Sequence, residues 1–112
     1  MPLPAGRLRY KIEIVRLVES DDGRGGSATE WQVVASPWAE VIGLTGREAV
    51  LEKVLQGIRV YRITLRHRRD IQPRDQIRYG DEDLNIRSAV DPSGRREELV
   101  ILADTDGALP TR

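Results

Sequence analysis

The 112-residue chain contains no cysteine and no phenylalanine, a single histidine, and no apolar run near the roughly 18 residues that a bilayer crossing requires. Each absence removes a class of function. Without cysteine there is no disulfide scaffold, no thiolate zinc site and no cysteine nucleophile, and the redox compartment stays open. His67 has no second histidine to join it in a metal site or a triad, so it reads as a satisfied or exposed strand residue. The N-terminal stretch MPLPAGRLRY has no signal-peptide core, which leads us to expect a soluble protein made in the cytoplasm, with no membrane partner. Lysine is nearly absent as well, occurring only at Lys11 and Lys53. Arginine supplies the other cations, through a genome rich in arginine codons or because its planar fork suits pairing with carboxylates. Eighteen basic residues balance eighteen acidic ones, so no overall field draws the chain to nucleic acid, and a DNA-binding role needs local segregation of charge.

What is present is a series of short strands. At this length one domain is expected, spanning 1–112. Leu8, Tyr10, Ile12 and Ile14 alternate with Arg9, Lys11 and Glu13, and the phase changes after Ile14, which predicts a bulge or a strand crossing an edge. Residues 19–30 concentrate turn formers and predict a long flexible loop, with Asp21, Asp22, Gly23, Arg24, Gly25 and Gly26 at its tip. The spacing Gly23-x-Gly25-x-x-Ala28 mimics a dinucleotide motif, but strand-forming Trp31 to Ala35 follows where a helix is required. Trp31 to Ile42 predicts a second strand interrupted at Ser36-Pro37. Both tryptophans are expected in the core or in packing between subunits.

Thr45-Gly46-Arg47-Glu48 fits a capping box and predicts a helix that Gly57 ends. Its apolar stripe is Val50, Leu51, Val54 and Leu55, while Arg47, Glu48, Glu52, Lys53 and Gln56 lie on the other side. So short a helix must dock on the sheet or on another subunit. The next strand, Ile58 to about His67, turns Tyr61, Ile63 and Leu65 one way and Arg62, Thr64 and Arg66 the other. Arg68 and Arg69 extend this basic row, which is either a solvated face paired with acids or a surface facing DNA or an acidic neighbour. Shorter strands follow at Gln76–Tyr79 and Leu84–Val90. The nearly all-aliphatic Glu98–Ala103 predicts a central strand buried on both faces or a phase change in a barrel. The tail, 105–112, is expected to be extended or disordered. The expected fold is all-β, a small antiparallel barrel of about six strands with one short α-helix in a long inter-strand loop.

Laid in order, these pieces resemble the head–tail joining, or head-closure, proteins of long-tailed bacteriophages and of gene transfer agents. The residues that carry the resemblance begin with Ala5-Gly6-Arg7-Leu8-Arg9, the Gly-rich loop before Trp31, and Trp38-Ala39-Glu40-Val41. They continue through Gly46-Arg47-Glu48, Tyr61-Arg62-Ile63-Thr64-Leu65-Arg66, Ile71-Gln72-Pro73-Arg74-Asp75-Gln76-Ile77 with Tyr79, Leu84-Asn85-Ile86, and Arg95-Arg96 in the last hairpin. The resemblance implies a structural connector subunit of the virion that forms a ring, usually taken as twelvefold, below the portal and adaptor. It implies as partners copies of itself, the portal and adaptor proteins, a tail terminator or tail protein, and the packaged DNA in the channel. It also implies a loop that helps close that channel, for which 43–57 is preferred over 20–29, with Thr45, Arg47, Glu48, Glu52, Lys53 and Gln56 as the candidate residues. Neither catalytic residues nor a cofactor are expected.

Two other readings compete. The row Arg62, Arg66, Arg68 and Arg69 is the only support for an independent nucleic-acid-binding barrel, and a chain with 4% aromatic residues has few rings for base stacking. A small enzyme is the weakest reading, because the carboxylate clusters sit at turns with no partner nucleophile or histidine.

Overall fold

The structure is a computed structural model that describes residues 4–21, 23–46 and 48–112, the side chains of 48 and 49 excepted. A short 3-10 turn at Ala5–Arg7 leads into eight strands and one helix: β1 (Tyr10–Lys11), β2 (Glu13–Asp21), β3 (Ser27–Ala35), β4 (Trp38–Leu44), α1 (Glu48–Leu55), β5 (Val60–Arg66), β6 (Gln76–Tyr79), β7 (Glu82–Val90) and β8 (Glu98–Asp104). All pairings are antiparallel, and they form a single sheet in the order β1-β4-β5-β8-β7-β6-β2-β3. The fold is therefore all-β with one short helix, as the periodicity predicts, but it is an eight-strand curled half-barrel and not a closed barrel of six strands.

The difference arises at the N-terminal segment. Tyr10 and Lys11 pair with β4, whereas Glu13, Ile14 and Val15 pair with β6 at the other end of the strand order. Between them Ile12 donates its N–H to the Pro37 carbonyl at 3.1 Å and buries its side chain fully. One segment thus bridges the seam, first on one side and then on the other, in place of a continuous ladder. The phase change after Ile14 is a register shift between Ile14 and Val15, and such bulges bend a strand and tighten its twist.

Three further expectations are corrected. The stretch 19–30 is mostly strand: the β2–β3 ladder continues from Leu17↔Trp31 to Asp21↔Ser27, leaving residues 23–26 as the described part of the turn. Backbone ladder bonds are indifferent to side-chain polarity, so turn-forming residues can be carried on into a hairpin already in register. Ser36-Pro37 does not interrupt one strand but separates two, β3 at one edge of the sheet and β4 beside the other. Finally, β8 is central but covered on one face only. Leu99, Ile101 and Ala103 point into the core, while Val100 is half-buried and Leu102 is 40% exposed.

The core is aliphatic. Ile12, Ala39, Ile63, Leu65, Ile77, Leu84, Leu99, Ile101 and Ala103 form it, with Tyr61, Tyr79 and Ile71 among the residues packed around. Neither tryptophan belongs to it: Trp31 is half-buried and Trp38 is 55% exposed. The bulk expected of those rings comes instead from branched aliphatics and a tyrosine cluster. Tyr79 packs edge-on to Tyr61 and to Tyr10, with ring centroids 5.4 and 5.9 Å apart. Residues 105–112 run along β6 and β7, where Gln76 both donates to the Leu109 carbonyl and accepts from the Leu109 N–H, as a backbone rung would. Arg78 holds Thr111, and Arg112 donates to the Gly80 carbonyl.

Candidate functional surface

Among the described residues no group of histidines and carboxylates is arranged to hold a metal, and every buried side-chain nitrogen or oxygen has a hydrogen-bond partner. Gly57, at φ 83°, ends α1 in a left-handed conformation, and the Ile58 N–H closes on the Lys53 carbonyl at 3.0 Å. Only half of the predicted apolar stripe docks. Val50 and Val54 are half-buried, whereas Leu51 is 44% and Leu55 78% exposed.

The tie between helix and sheet is ionic. Lys53 Nζ donates to Asp104 Oδ2 at 2.7 Å, and Arg87 grips the same carboxylate with Nε and Nη2 at 2.9–3.1 Å. Asp104 is 1% exposed. Burial by itself would raise its pKa, but the hydrogen bonds from Arg87 and Lys53 outweigh that and hold it below the usual carboxylate value. Lys53 is thus a structural residue of the helix as well as a candidate for channel closure. Glu52, Gln56 and Thr45 are exposed. Arg47 lies outside the described residues, as does the side chain of Glu48, so the capping box has no structural description here.

The basic row divides. Arg62 and Arg66 stand on the outer face of β5, exposed, with Thr64 buried between them. Arg66 opposes Glu98 in register. Arg68 and Arg69 lie beyond the strand, and Arg68 forks onto Asp70 at 2.8 and 3.0 Å, which neutralises it within its own loop and lowers the Asp70 pKa. The structure does not bring the four arginines together as one row. Of the flexible-loop residues, Asp21 ends β2, the described residues 23–26 form the turn, and Asp22 lies outside the description.

A second buried carboxylate, Asp75, has no local signature in the amino-acid order, because its partner is 59 residues away. Arg16 binds it with Nε and Nη2 at 2.8 and 2.9 Å, and the Gln72 N–H adds a third bond. The Gln72-Pro73-Arg74-Asp75 stretch is in this way a turn clamped to β2. Near the helix, burial and a 2.6 Å hydrogen bond to Glu82 push the Tyr61 phenol up to about 12, so it stays a donor.

The outer face of β4, β5, β8 and β7 exposes apolar side chains, among them Leu102 and Val90. Two rungs cross it, Ile42↔Arg62↔Leu102↔Ser88 and Glu40↔Thr64↔Val100↔Val90. Leu44, Val50, Val90, Val100 and Leu102 line a groove there of about 410 Å³. Glu40 is held by Arg7 through two bonds of 2.9 Å, which lowers its pKa. An exposed apolar face of this kind suits contact with another protein surface.

A protein of Shigella flexneri 2a solved in solution superposes with a TM-score of 0.67 at 25% identity, over 94% of this chain and 98% of that one. A chain from the virion of a native gene transfer agent particle superposes with a TM-score of 0.62 at 20% identity, over 92% of this chain and 98% of that one, a likeness of fold. No curated protein matches the sequence. The family model described as phage head completion protein matches residues 3–106. The chain belongs to the phage head completion protein family, and its place is in the virion particle of a phage or phage-like element.

Proposed function

We propose that this protein is a structural subunit of a ring, a dodecamer in the particle, that sits below the portal and adaptor, closes the DNA channel and presents the surface to which the tail attaches. The observation that carries the reading is the family match over 3–106, nearly the whole chain. The groove and the exposed Leu51 and Leu55 support it, because a subunit that functions only in an assembly keeps apolar surface for its neighbours. Within the ring, the segment 43–57 is the part proposed to reach the channel, with Thr45, Arg47, Glu48, Glu52 and Gln56 facing it and Lys53 anchoring the helix to Asp104. Arg62 and Arg66 then belong to subunit contacts. The gene transfer agent virion chain, found in an assembled particle, is consistent with such a setting for this fold.

Particles produced without the protein test the role. Capsids that lose their packaged DNA, or that fail to acquire tails, are expected in electron micrographs. Full, tailed particles formed in its absence would refute it.

A further inference from the structure

From the ring reading, on which this rests, we infer that neighbouring copies join by laying the β2–β3 hairpin of one copy across the outer face of β4, β5, β8 and β7 of the next. A ring demands two different surfaces on each subunit that complement one another. The hairpin is one. After Val15 pairs with Gln76, residues 16–21 of β2 pair with β3 alone, so two strands run on past the sheet for roughly 20 Å at the usual rise per residue. The molecule measures 51 Å along its longest axis and 22 Å along its shortest.

Charge selects the occupant of the groove. On the free part of the arm the side chains Glu19, Asp21 and Glu30 are exposed and acidic, against the single arginine of its tip, Arg24, and the one cation of its strands, Arg16, is consumed by Asp75. The groove has the opposite character, with no carboxylate among its lining residues and Arg62 as its cation. The arm also carries apolar surface to lay against apolar surface, notably Val33 at its base, 47% exposed. Within its own chain the arm cannot supply this contact. Its residues Leu17, Glu19, Thr29 and Trp31 look across a separate cleft toward Gln76 and Leu109. A stable interface hides about 800 Å² on each partner, more than the groove offers alone, and the length of the arm provides the remainder.

Because the chain has no cysteine, introduced thiols report the contact directly. Particles are assembled with Ala28→Cys, on the exposed face of the arm turned away from that cleft, with Leu102→Cys, with a mixture of the two, or with the double variant as sole source of the protein, then oxidised and run on denaturing gels. The double variant is expected to give a ladder of disulfide-linked multimers, the mixture only dimers, and each single variant monomers. Arg62→Glu is expected to lower the copies retained per particle about tenfold, and the combined reversal Glu19→Lys, Asp21→Lys and Glu30→Lys to restore them in the Arg62→Glu background. Thermal unfolding confirms that each variant is folded. Multiple copies per particle without a ladder would overturn the docking and leave the ring standing. A single copy per particle would overturn both.

Discussion

Asp75 and Asp104 are the two carboxylates that the described chain buries, and each is held by an arginine fork from a neighbouring strand. Their energetics should differ, because their partners do. Arg16 is 19% exposed and is the sole cation on Asp75, so Arg16→Ala strands a buried charge; a loss of about 3 kcal/mol is expected in chemical denaturation. Asp104 keeps one cation when the other is removed. Lys53→Met should therefore cost only about 1 kcal/mol while loosening α1, seen as faster amide exchange over 48–55. The pH dependence follows from the depressed pKa of Asp104. With the folded value below the unfolded value of about 3.9, the unfolded chain takes up its proton first, and the stabilisation present above that pH is lost as pH falls through the folded value. Asp104→Asn should remove that part of the acid sensitivity, measured as a flatter dependence of the melting temperature on pH below about 4.

For single elements, the helix and the hairpin depend on different things. Helix α1 has only eight residues, and it keeps its place through Val50, Val54, the Lys53 tie and the left-handed stop at Gly57. A Cβ at Gly57 meets no atom within 4 Å, so Gly57→Ala pays only backbone strain, about 1 kcal/mol in equilibrium unfolding. Gly57 was legible as a stop from its position after the apolar stripe. The exposure of Leu51 and Leu55 was not, because periodicity reveals an amphipathic helix without saying what covers it. The arm illustrates the converse. Its composition reads as a loop, and the ladder that makes it a ribbon comes from pairing Leu17 with Trp31, two residues whose partnership no local pattern contains. Replacing 19–29 by Asn-Gly should shift the melting temperature by only a few degrees, because the arm makes no contribution to the core. The same variant should fail to enter particles, as measured by immunoblot.

At the largest scale the described chain is one sheet curled around branched aliphatic side chains, with a single short helix beside it. Such a core has little slack: Ile101, fully buried on the central strand, should lose about 3 kcal/mol on Ile101→Ala, checked by denaturant titration. The curl leaves most of one convex face without a covering layer, α1 lying over one end of it through Val50 and the Lys53 tie to Asp104, and that largely open face is what separates this fold from a sandwich, in which a second sheet would bury Val100 and Leu102. Such a face suits a subunit that works in an assembly, the role proposed above for this member of the phage head completion protein family.

The strand periods, the bulge after Ile14, the helix between Gly43 and Gly57 and, through the order of its short motifs, the family can all be read from the amino-acid order alone. These are properties of near neighbours, set by pleat, turn geometry and side-chain alternation within a few residues. Tertiary structure decided the strand order, the seam bridged by Ile12, the partners of Asp75 and Asp104, and the exposure of Trp38, Leu55 and Leu102. The physical reason is that pairing and burial depend on which segments meet after the chain has curled. An aliphatic run such as Glu98–Ala103 looks the same whether its second face meets a sheet, a neighbouring subunit or water.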